Sequence, residues 1–503
     1  MYHDESYSYP PGDKMVMPSS SYHTVDLPDG TSTIYQLRSL ICAPSVEVEE
    51  KQRHPNDTAN TTTDAVDADA DTDIADSDSD IRNWTKFCAS VFSYKLDPPS
   101  PSYFARHFYN DPRGDASLIR VLVATAATTA AAAGDAAAND NDGEKGGEIA
   151  SSIRIFRRTL SIPHHHSSSG TGSSCTMHYM EAGGIGEVCT SINHRRRGLS
   201  SILLKDAIAI MNSQPLEGER MACSLLHASP DFRPVYSKVG GYRSVTSYWS
   251  VVPVRWKSLL LTESETVARL DDTNAAISES EKIGGGTTSS YIVRNAKFPN
   301  DAPQLQQLHH EYSEKRLITI VRSEEYWTRY VSAELGDTLW VLCAKQPSTS
   351  ISTTAAAGGT PNNGEDTIVA WLSLRKRGDR YQLREFGVNR RNTSTMLAMK
   401  YLLPVALNQL GVNSSMDDNK GEDVVSLLLP SIVVSDVQHE MTTSSTGVDN
   451  RNEVAFLDFD SAVEENDDGW MYIHMDNSQS SVVELTTREA DPIQHLIWPT
   501  DSF

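Results

Sequence analysis

Cysteine, long apolar runs and positive charge are scarce in this sequence, and each scarcity excludes a class of protein. The 503 residues hold six cysteines, Cys42, Cys88, Cys175, Cys189, Cys223 and Cys343, with no paired or CxxC spacing. That argues against a disulfide framework and against a zinc site, so no metal is expected. No apolar run approaches the ~18 residues that a membrane helix needs, and no membrane partner is expected. The N-terminal MYHDESYSYPPGDK lacks both the basic n-region and the apolar core of a signal peptide. The expected location is therefore the cytoplasm, with the nucleus as the alternative. Basic residues number 44 against 67 acidic ones, a net charge of −23. Such a chain has no basic stripe to hold nucleic-acid phosphates, and no direct nucleic acid binding is expected. Residues 46–80 alone carry 12 acids and 2 bases. A solvated acidic loop is the plain meaning of that run, while the overall charge would suit a cationic substrate.

Apolar residues are also somewhat few, at 39%. The deficit lies in low-complexity inserts rich in Ser, Thr, Ala, Gly, Asn and Asp, at 54–80, 124–147, 163–174, 271–290, 346–367, 411–423 and 440–453. They hold too little apolar surface to offset ordering entropy and are expected to be disordered. The length fits two or three domains. The composition divides the chain into a disordered tail at 1–23, an N-terminal domain at 24–256 with the first three inserts, a Ser/Thr/Gly linker at 257–290, and a C-terminal domain at 291–503 with the last three.

Within the first domain, 33–43 reads as a strand, Trp84 to Tyr109 as helical segments interrupted at Pro98–Pro101, and 118–125 and 149–162 as strands by their β-branched density. GIGEVCTSI (184–192) follows as a strand with a period of two. A loop, NHRRRG, leads into a helix over roughly 198–212, whose apolar face is Leu199, Ile202, Leu203, Ala207, Ile210 and Met211. Strands at 221–229 and 242–254 flank a short helix, DFRPVYSKVG. The second domain restarts with a strand at 291–298 and a helix that Asp301 should cap. Ser323 likewise should cap SEEYWTRYVSAE, and strands follow at 339–344, 367–376 and 381–388. A helix at 396–410, kinked or broken near Pro404, precedes a strand at 424–434. The two halves share an element order, which implies a tandem duplication of one fold.

Chemistry concentrates at Arg195-Arg196-Arg197-Gly198-Leu199-Ser200-Ser201, between a strand and an amphipathic helix. A helix N-terminus offers unpaired N–H groups and the positive end of the helix dipole, which together favour an anion. Gly198 lets the backbone approach a phosphate closely, and the arginines add charge-assisted contacts. Taken alone, the RRRG string is a basic surface turn. The corresponding loop of the second half, Asn389-Arg390-Arg391-Asn392-Thr393-Ser394, has no glycine. His164-His165-His166 looks ligand-like but lies in an insert with no fixed geometry.

The Arg-x-x-Gly-x-small pattern after a strand, followed by Tyr236 within VYSKVGGY, resembles the GNAT family of acetyl-CoA-dependent N-acetyltransferases over about 118–255. Ser200 stands where Gly or Ala is usual, and the Gly-Tyr turn has one extra glycine. The resemblance implies an α/β (α+β) fold of two GNAT-like mixed-sheet domains in tandem, the second degenerate. It implies acetyl-CoA as co-substrate, with backbone groups of Val188, Cys189 and Thr190 along its pantetheine arm and its pyrophosphate on Arg195 to Ser201. It places Tyr236 as the acid that protonates the departing thiolate, where the bland alternative is a core tyrosine. Glu187 is then a candidate base, or equally a carboxylate paired with an arginine, and His227 is a third candidate or a pocket wall. The tandem layout is similar to enhanced-intracellular-survival type and fungal lysine acetyltransferases. In the survival type the terminal carboxylate assists in deprotonating the amine, which here makes Phe503 a rival base. The apolar HLIWPTDSF would in any case be a docked tail. The expected activity is acetyl transfer to a primary amine, borne by a small molecule, a lysine or a basic peptide. The alternative is a non-catalytic acyl-CoA-binding or scaffolding protein with the same fold.

Overall fold

The structure is a computed structural model, and it describes residues 20–26, 32–40, 79–95, 98–125, 147–165, 175–213, 215–216, 219–245, 247–255, 291–316, 318–344, 366–412, 424–443, 456–467, 469–475 and 498. The inserts lie mainly outside these, although Ser79 and Asp80 open a helix and residues 440–443 close one. The chain forms two compact units. The first comprises Met1–Tyr109, Gly114–Ile155 and Glu187–Ala209, and the second Asn110–Arg113, Phe156–Gly186 and Ile210–Phe503.

In the first unit, β1 (Ser20–Asp26) pairs antiparallel with β2 (Ser32–Ser39). Residues expected in the terminal tail thus join a sheet, because the short alternation SYHTVD finds a partner only once the chain turns back. Next come β3 (Ile119–Thr125), β4 (Glu148–His165) and β5 (Cys175–Thr190), giving the order β1-β2-β3-β4-β5. Two helices, α1 (Ser79–Val91) and α2 (Pro101–Tyr109), cover the sheet. Trp84, Cys88, Phe104 and Phe108 pack with Ile119, Val121, Val123 and Cys189 in one apolar core. The buried Trp84 indole donates to Ser152 Oγ at 2.8 Å, so its polar edge is satisfied. Helix α3 (Leu199–Ser213) begins here, with Leu199, Leu203, Leu204 and Ala207 buried as its periodicity requires.

The second unit contains two mixed sheets. In one, β5 pairs in parallel with β8 (Cys223–His227), and β18 (Trp470–His474) runs antiparallel to β8 and then to β9 (Arg243–Ser244). β12 (Thr319–Ile320) adds to the later part of β4. A small hairpin, β6 (Pro215–Leu216) and β7 (Glu219–Arg220), precedes β8. The other sheet has the order β11-β13-β14-β15-β16-β10-β17. Its strands are β10 (Ser247–Arg255), β11 (Tyr291–Asn295), β13 (Leu339–Ala344), β14 (Thr367–Arg377), β15 (Arg380–Val388), β16 (Val424–Pro430) and β17 (Val463–Asp467). The β15–β16 pair is parallel and the other pairs are antiparallel. Helices α4 (Ala302–His309), α5 (Thr395–Gln409) and α6 (Ser431–Thr443) accompany it. Mixed sheets with flanking helices are the architecture expected from the sequence.

Several details differ from expectation. The stretch 242–254 is two strands rather than one. β9 lies beside β18, while β10 enters the second sheet between β16 and β17. Sheet membership therefore does not follow the boundary drawn at 256, because β10 passes to the C-terminal sheet and β18 comes from near the chain's end to lie against β8. Residues 424–434 are strand only to Pro430, where the ladder stops and α6 begins. Pro404 sits inside a continuous α5. Asp301 makes no side-chain cap. Its carboxylate instead accepts from Arg294 at 2.6 and 3.0 Å and from Lys297 N at 2.6 Å. Ser323 Oγ does accept from Tyr326 N, at 3.1 Å.

Candidate functional site

In the first unit, β5 runs into a loop and then into the first turn of α3. The β5–β8 register extends from Ala182 to Ile185, and Glu187 just beyond it takes a φ of 54°, a left-handed conformation that few side chains adopt. A left-handed residue inside a strand interrupts regular pairing. Glu187 is nearly buried, and its Oε1 lies 3.6 Å from the buried Arg154 Nη1. Arg154 in turn stacks over the Phe108 ring at 5.2 Å. Of the two roles open to Glu187, the structure displays the paired carboxylate.

Val188 and Thr190 are half-buried, and Cys189 is buried with its thiol 3.8 Å from that of Cys88. Burial first, and then the neighbouring Cys189, raise the Cys88 thiol well above its ordinary pKa. The carbonyl of Cys189 accepts from Ser151 Oγ at 2.8 Å, and that of Thr190 accepts from Arg195 Nε at 3.4 Å.

The loop passes through a 3₁₀ turn, Ile192–His194, and then alternates in hand. Arg196 has φ 62° and Gly198 φ 75°, while Arg197 between them is not left-handed. Such alternation gathers successive N–H groups into a concavity suited to an anion. A Cβ built on Gly198 would meet nothing within 4 Å. Glycine is therefore required here for its conformation and not for lack of space. The carbonyl of Gly198 accepts from Ser201 N and Ile202 N at 3.0 and 3.2 Å, which starts α3 with no acidic residue in its first turn.

The three arginines divide their work. Arg195 and Arg196 are exposed. Arg197 is engaged within the chain, donating to Tyr35 Oη at 2.6 Å, Thr33 Oγ1 at 3.3 Å and Asn193 O at 2.9 Å. The sequence alone grouped all three as phosphate ligands. Tyr35 and Thr33 come from β2, a strand remote in sequence, and no local pattern signals them.

The second half presents a different loop. Ser394 caps α5 through Leu397 N at 3.0 Å, and Asn389 Oδ1 accepts from Arg391 N at 3.0 Å. The carboxylate of Glu440 from α6 accepts from Thr395 N and Met396 N, each at 2.9 Å. The helix N-terminus that corresponds to the loop at 195–201 thus already holds an anion of the chain's own. Nearby, Asp436 gathers Arg390, Arg316 and the Tyr312 hydroxyl.

Tyr236 belongs to the second unit. A helical turn, Arg233–Val235, continues as a π-helical turn, Tyr236–Gly240, and closes on Gly241 at φ 73°. Tyr236 is half-buried, its ring edge-on to Tyr242 with centroids 6.2 Å apart. Burial pushes its pKa up to about 12, so the hydroxyl keeps its proton at neutral pH. Tyr242 is satisfied by Ser224 Oγ at 2.7 Å. His227 at the end of β8 meets Asp467, Nε2 to Oδ1 at 3.0 Å, with Gly469 N holding the same oxygen. Phe503 lies outside the described residues, as do the side chains of His164 to His166. Trp498 is fully buried, and its indole donates to Ser313 Oγ at 3.4 Å. Among the described residues, no helix is long and apolar enough to cross a membrane.

The candidates thus fall into two sets. Glu187 to Thr190 and Arg195 to Ser201 belong to the first unit, and Tyr236 to the second.

No protein-family model matches the chain, and no curated protein matches it. Solved structures do. A GCN5-related N-acetyltransferase from Anabaena variabilis matches at 11% identity over 79% of this chain and 71% of that one, with a TM-score of 0.41. Eis1 from Mycobacterium abscessus matches at 9% identity over 78% and 70%, with a TM-score of 0.36. The N-myristoyltransferase of Saccharomyces cerevisiae, solved with bound myristoyl-CoA, matches at 11% identity over 84% and 86%, with a TM-score of 0.38. These are what the chain is similar to.

Proposed function

We propose that this protein is an acyl-CoA-dependent N-acyltransferase that moves an acetyl group from acetyl-CoA to a primary amine. The observation that carries the reading is the loop of alternating hand at Arg196 and Gly198, which feeds an acid-free helix N-terminus under exposed arginines. Pyrophosphate suits such a loop because N–H groups, helix dipole and guanidinium charge all favour an anion. The corresponding helix N-terminus of the second half is taken by Glu440, which supports one donor site per chain, in the N-terminal half.

In this reading the amine nitrogen attacks the thioester carbonyl, a tetrahedral intermediate forms, and the C–S bond breaks. Tyr236 supplies the proton that the departing thiolate takes up, a proton that burial keeps on the phenol at working pH. The amine loses its own proton to a base, for which Glu187 is the candidate among the described residues. Backbone groups of Val188, Cys189 and Thr190 line the pantetheine arm, and the pyrophosphate sits on the backbone from Arg195 to Ser201, Leu199 included, with Arg195 and Arg196 supplying guanidinium charge. The net negative charge of the chain favours a cationic amine on a small molecule, a lysine or a basic peptide.

The test is release of CoA thiol from acetyl-CoA against lysine, polyamines, aminoglycosides and basic peptides. Amine-dependent release supports the reading. CoA-dependent thermal stabilisation with no release against any amine would overturn it in favour of a non-catalytic acyl-CoA-binding protein.

A further inference from the structure

Tyr35 is a fully buried side chain on β2, yet its hydroxyl meets the loop that follows β5. Arg197 Nη1 lies 2.6 Å from Tyr35 Oη, and His194 Nδ1 lies 3.0 Å from it on another side. The direction of these bonds follows from the inventory of protons. A guanidinium only donates, so Tyr35 accepts from Arg197 and has its single proton left for His194 Nδ1. His194 then presents a lone pair at Nδ1, as suits the donor Arg197 Nη1 3.5 Å from the same nitrogen, and carries its own proton on Nε2, which faces Glu148 Oε2 at 4.0 Å.

We infer that Tyr35 and His194 are positioning residues that hold Arg197 as a brace of the anion loop, and that the brace requires His194 to be neutral. The inference rests on the acetyl-CoA reading above and deepens it. Arg197 lies between two left-handed residues, and a loop of that shape is strained for Arg196. The guanidinium ties the loop to Tyr35, Thr33 and Asn193, and so maintains the shape before any ligand arrives. Phosphate then falls to Arg195, Arg196 and the backbone amides.

The environment of His194 fits that requirement. Tyr35 faces it from β2, Arg197 from its own loop at 3.5 Å, and Glu148 from β4. Burial lowers its pKa below the ordinary value, Arg197 lowers it further, and Glu148 opposes both. When His194 takes up a proton, Nδ1 becomes a donor. It can then no longer receive the Tyr35 hydroxyl proton, and a second cation stands beside Arg197. The brace opens as pH falls.

The test uses the full chain with Tyr35→Phe and His194→Gln, compared with wild type by acetyl-CoA binding, steady-state kinetics and amide hydrogen exchange over 195–201. Tyr35→Phe keeps the buried ring, and unchanged thermal unfolding shows that the fold is retained. It should raise Kd and KM for acetyl-CoA roughly tenfold, the worth of one hydrogen bond to a charged group, with kcat at saturation held within about twofold. Its loop amides should exchange faster without any ligand. Wild-type affinity should weaken as pH falls through roughly 7 to 5. His194→Gln, whose amide oxygen accepts from Tyr35 and does not titrate, should bind like wild type at neutral pH and lose that dependence. Unchanged affinity together with unchanged loop exchange in Tyr35→Phe would overturn the brace, as would an undiminished pH dependence in His194→Gln. A wild type that binds no acetyl-CoA while the Tyr35→Phe loop loosens overturns the donor reading and supports the brace.

Discussion

His227 and Asp467 are 240 positions apart in the chain and 3.0 Å apart in space. The contact exists because β18 lies antiparallel to β8, with Trp470 opposite His227 and Met471 opposite Leu226. Trp470, Cys223, Ala182 and Ile320 share one small apolar core. A chain ending at residue 256 leaves β8 with an open edge and that core incomplete. Its expected behaviour is a broad, non-cooperative melt with weak near-ultraviolet circular dichroism. A sharp cooperative transition in the truncated chain would show that the first half folds without β18.

Gly198→Glu places a carboxylate on the loop and a side chain where φ is 75°. Both effects oppose an incoming pyrophosphate. Calorimetry should find one acetyl-CoA site on wild type and none on the variant. Two sites on wild type would contradict the assignment of donor binding to the N-terminal half.

Glu440→Ala removes the acceptor for Thr395 N and Met396 N, and should destabilise the chain by about 0.5–2 kcal/mol, the usual worth of an N-terminal cap. Denaturant unfolding measures this. The variant should still bind a single acetyl-CoA, because the loop at 389–394 has no left-handed glycine to receive the phosphates. Acquisition of a second site would mean that Glu440 alone had kept the donor out.

Glu187→Gln distinguishes the two roles of that carboxylate. Arg154 and Glu187 are 1% and 7% exposed, so removing the negative charge breaks a buried ion pair. The expected loss of stability is on the order of 3–5 kcal/mol. A loss of activity with unchanged unfolding would instead mark Glu187 as a base that the fold does not need.

Tyr236→Phe should lower kcat on the order of 10²–10⁴-fold and leave acetyl-CoA affinity unchanged. Burial raises the pKa of this phenol to about 12, so the folded chain holds the proton after an exposed tyrosine would have lost it. The sign is that Tyr236 produces no alkaline fall in kcat below about pH 11. Above the ordinary tyrosine pKa the unfolded chain gives up this proton more readily, so stability declines as pH rises there. A kcat unaltered in Tyr236→Phe would reduce the residue to packing.

The parts of the fold that the sequence disclosed are those set by local periodicity. The face of α3 emerged from Leu199, Leu203, Ala207, Ile210 and Met211, and β3 from its β-branched run. The loop was legible as a glycine and three arginines at a strand-to-helix junction, although the sequence suggested close approach where the structure shows a left-handed φ at Gly198. What stayed hidden depends on partners remote in the chain. Nothing near Tyr35 announces that its hydroxyl meets Arg197, and nothing in WMYIH assigns β18 to β8 rather than to its neighbours. The left-handed backbone of Glu187 was hidden in another way, since nothing in a period-two strand marks a residue at φ 54°. α6 was hidden because Ile432, Val433 and Val434 prolong a β-branched run past Pro430, and packing against the sheet outweighs their preference for strand.

The exchange of β10 and β18 also bears on inheritance. A nonsense or frameshift change as late as residue 470 strips a strand from beside β8. The stretch of chain whose strand-to-helix loop at 389–394 lacks a glycine is thereby bound to the same fate as the stretch that keeps Gly198. Deletion cannot prune the one copy, and recombination cannot transplant the other, without tearing a sheet. The two stretches are inherited as one folding unit, in which the stretch that fills a helix N-terminus with Glu440 also lends a strand to β8.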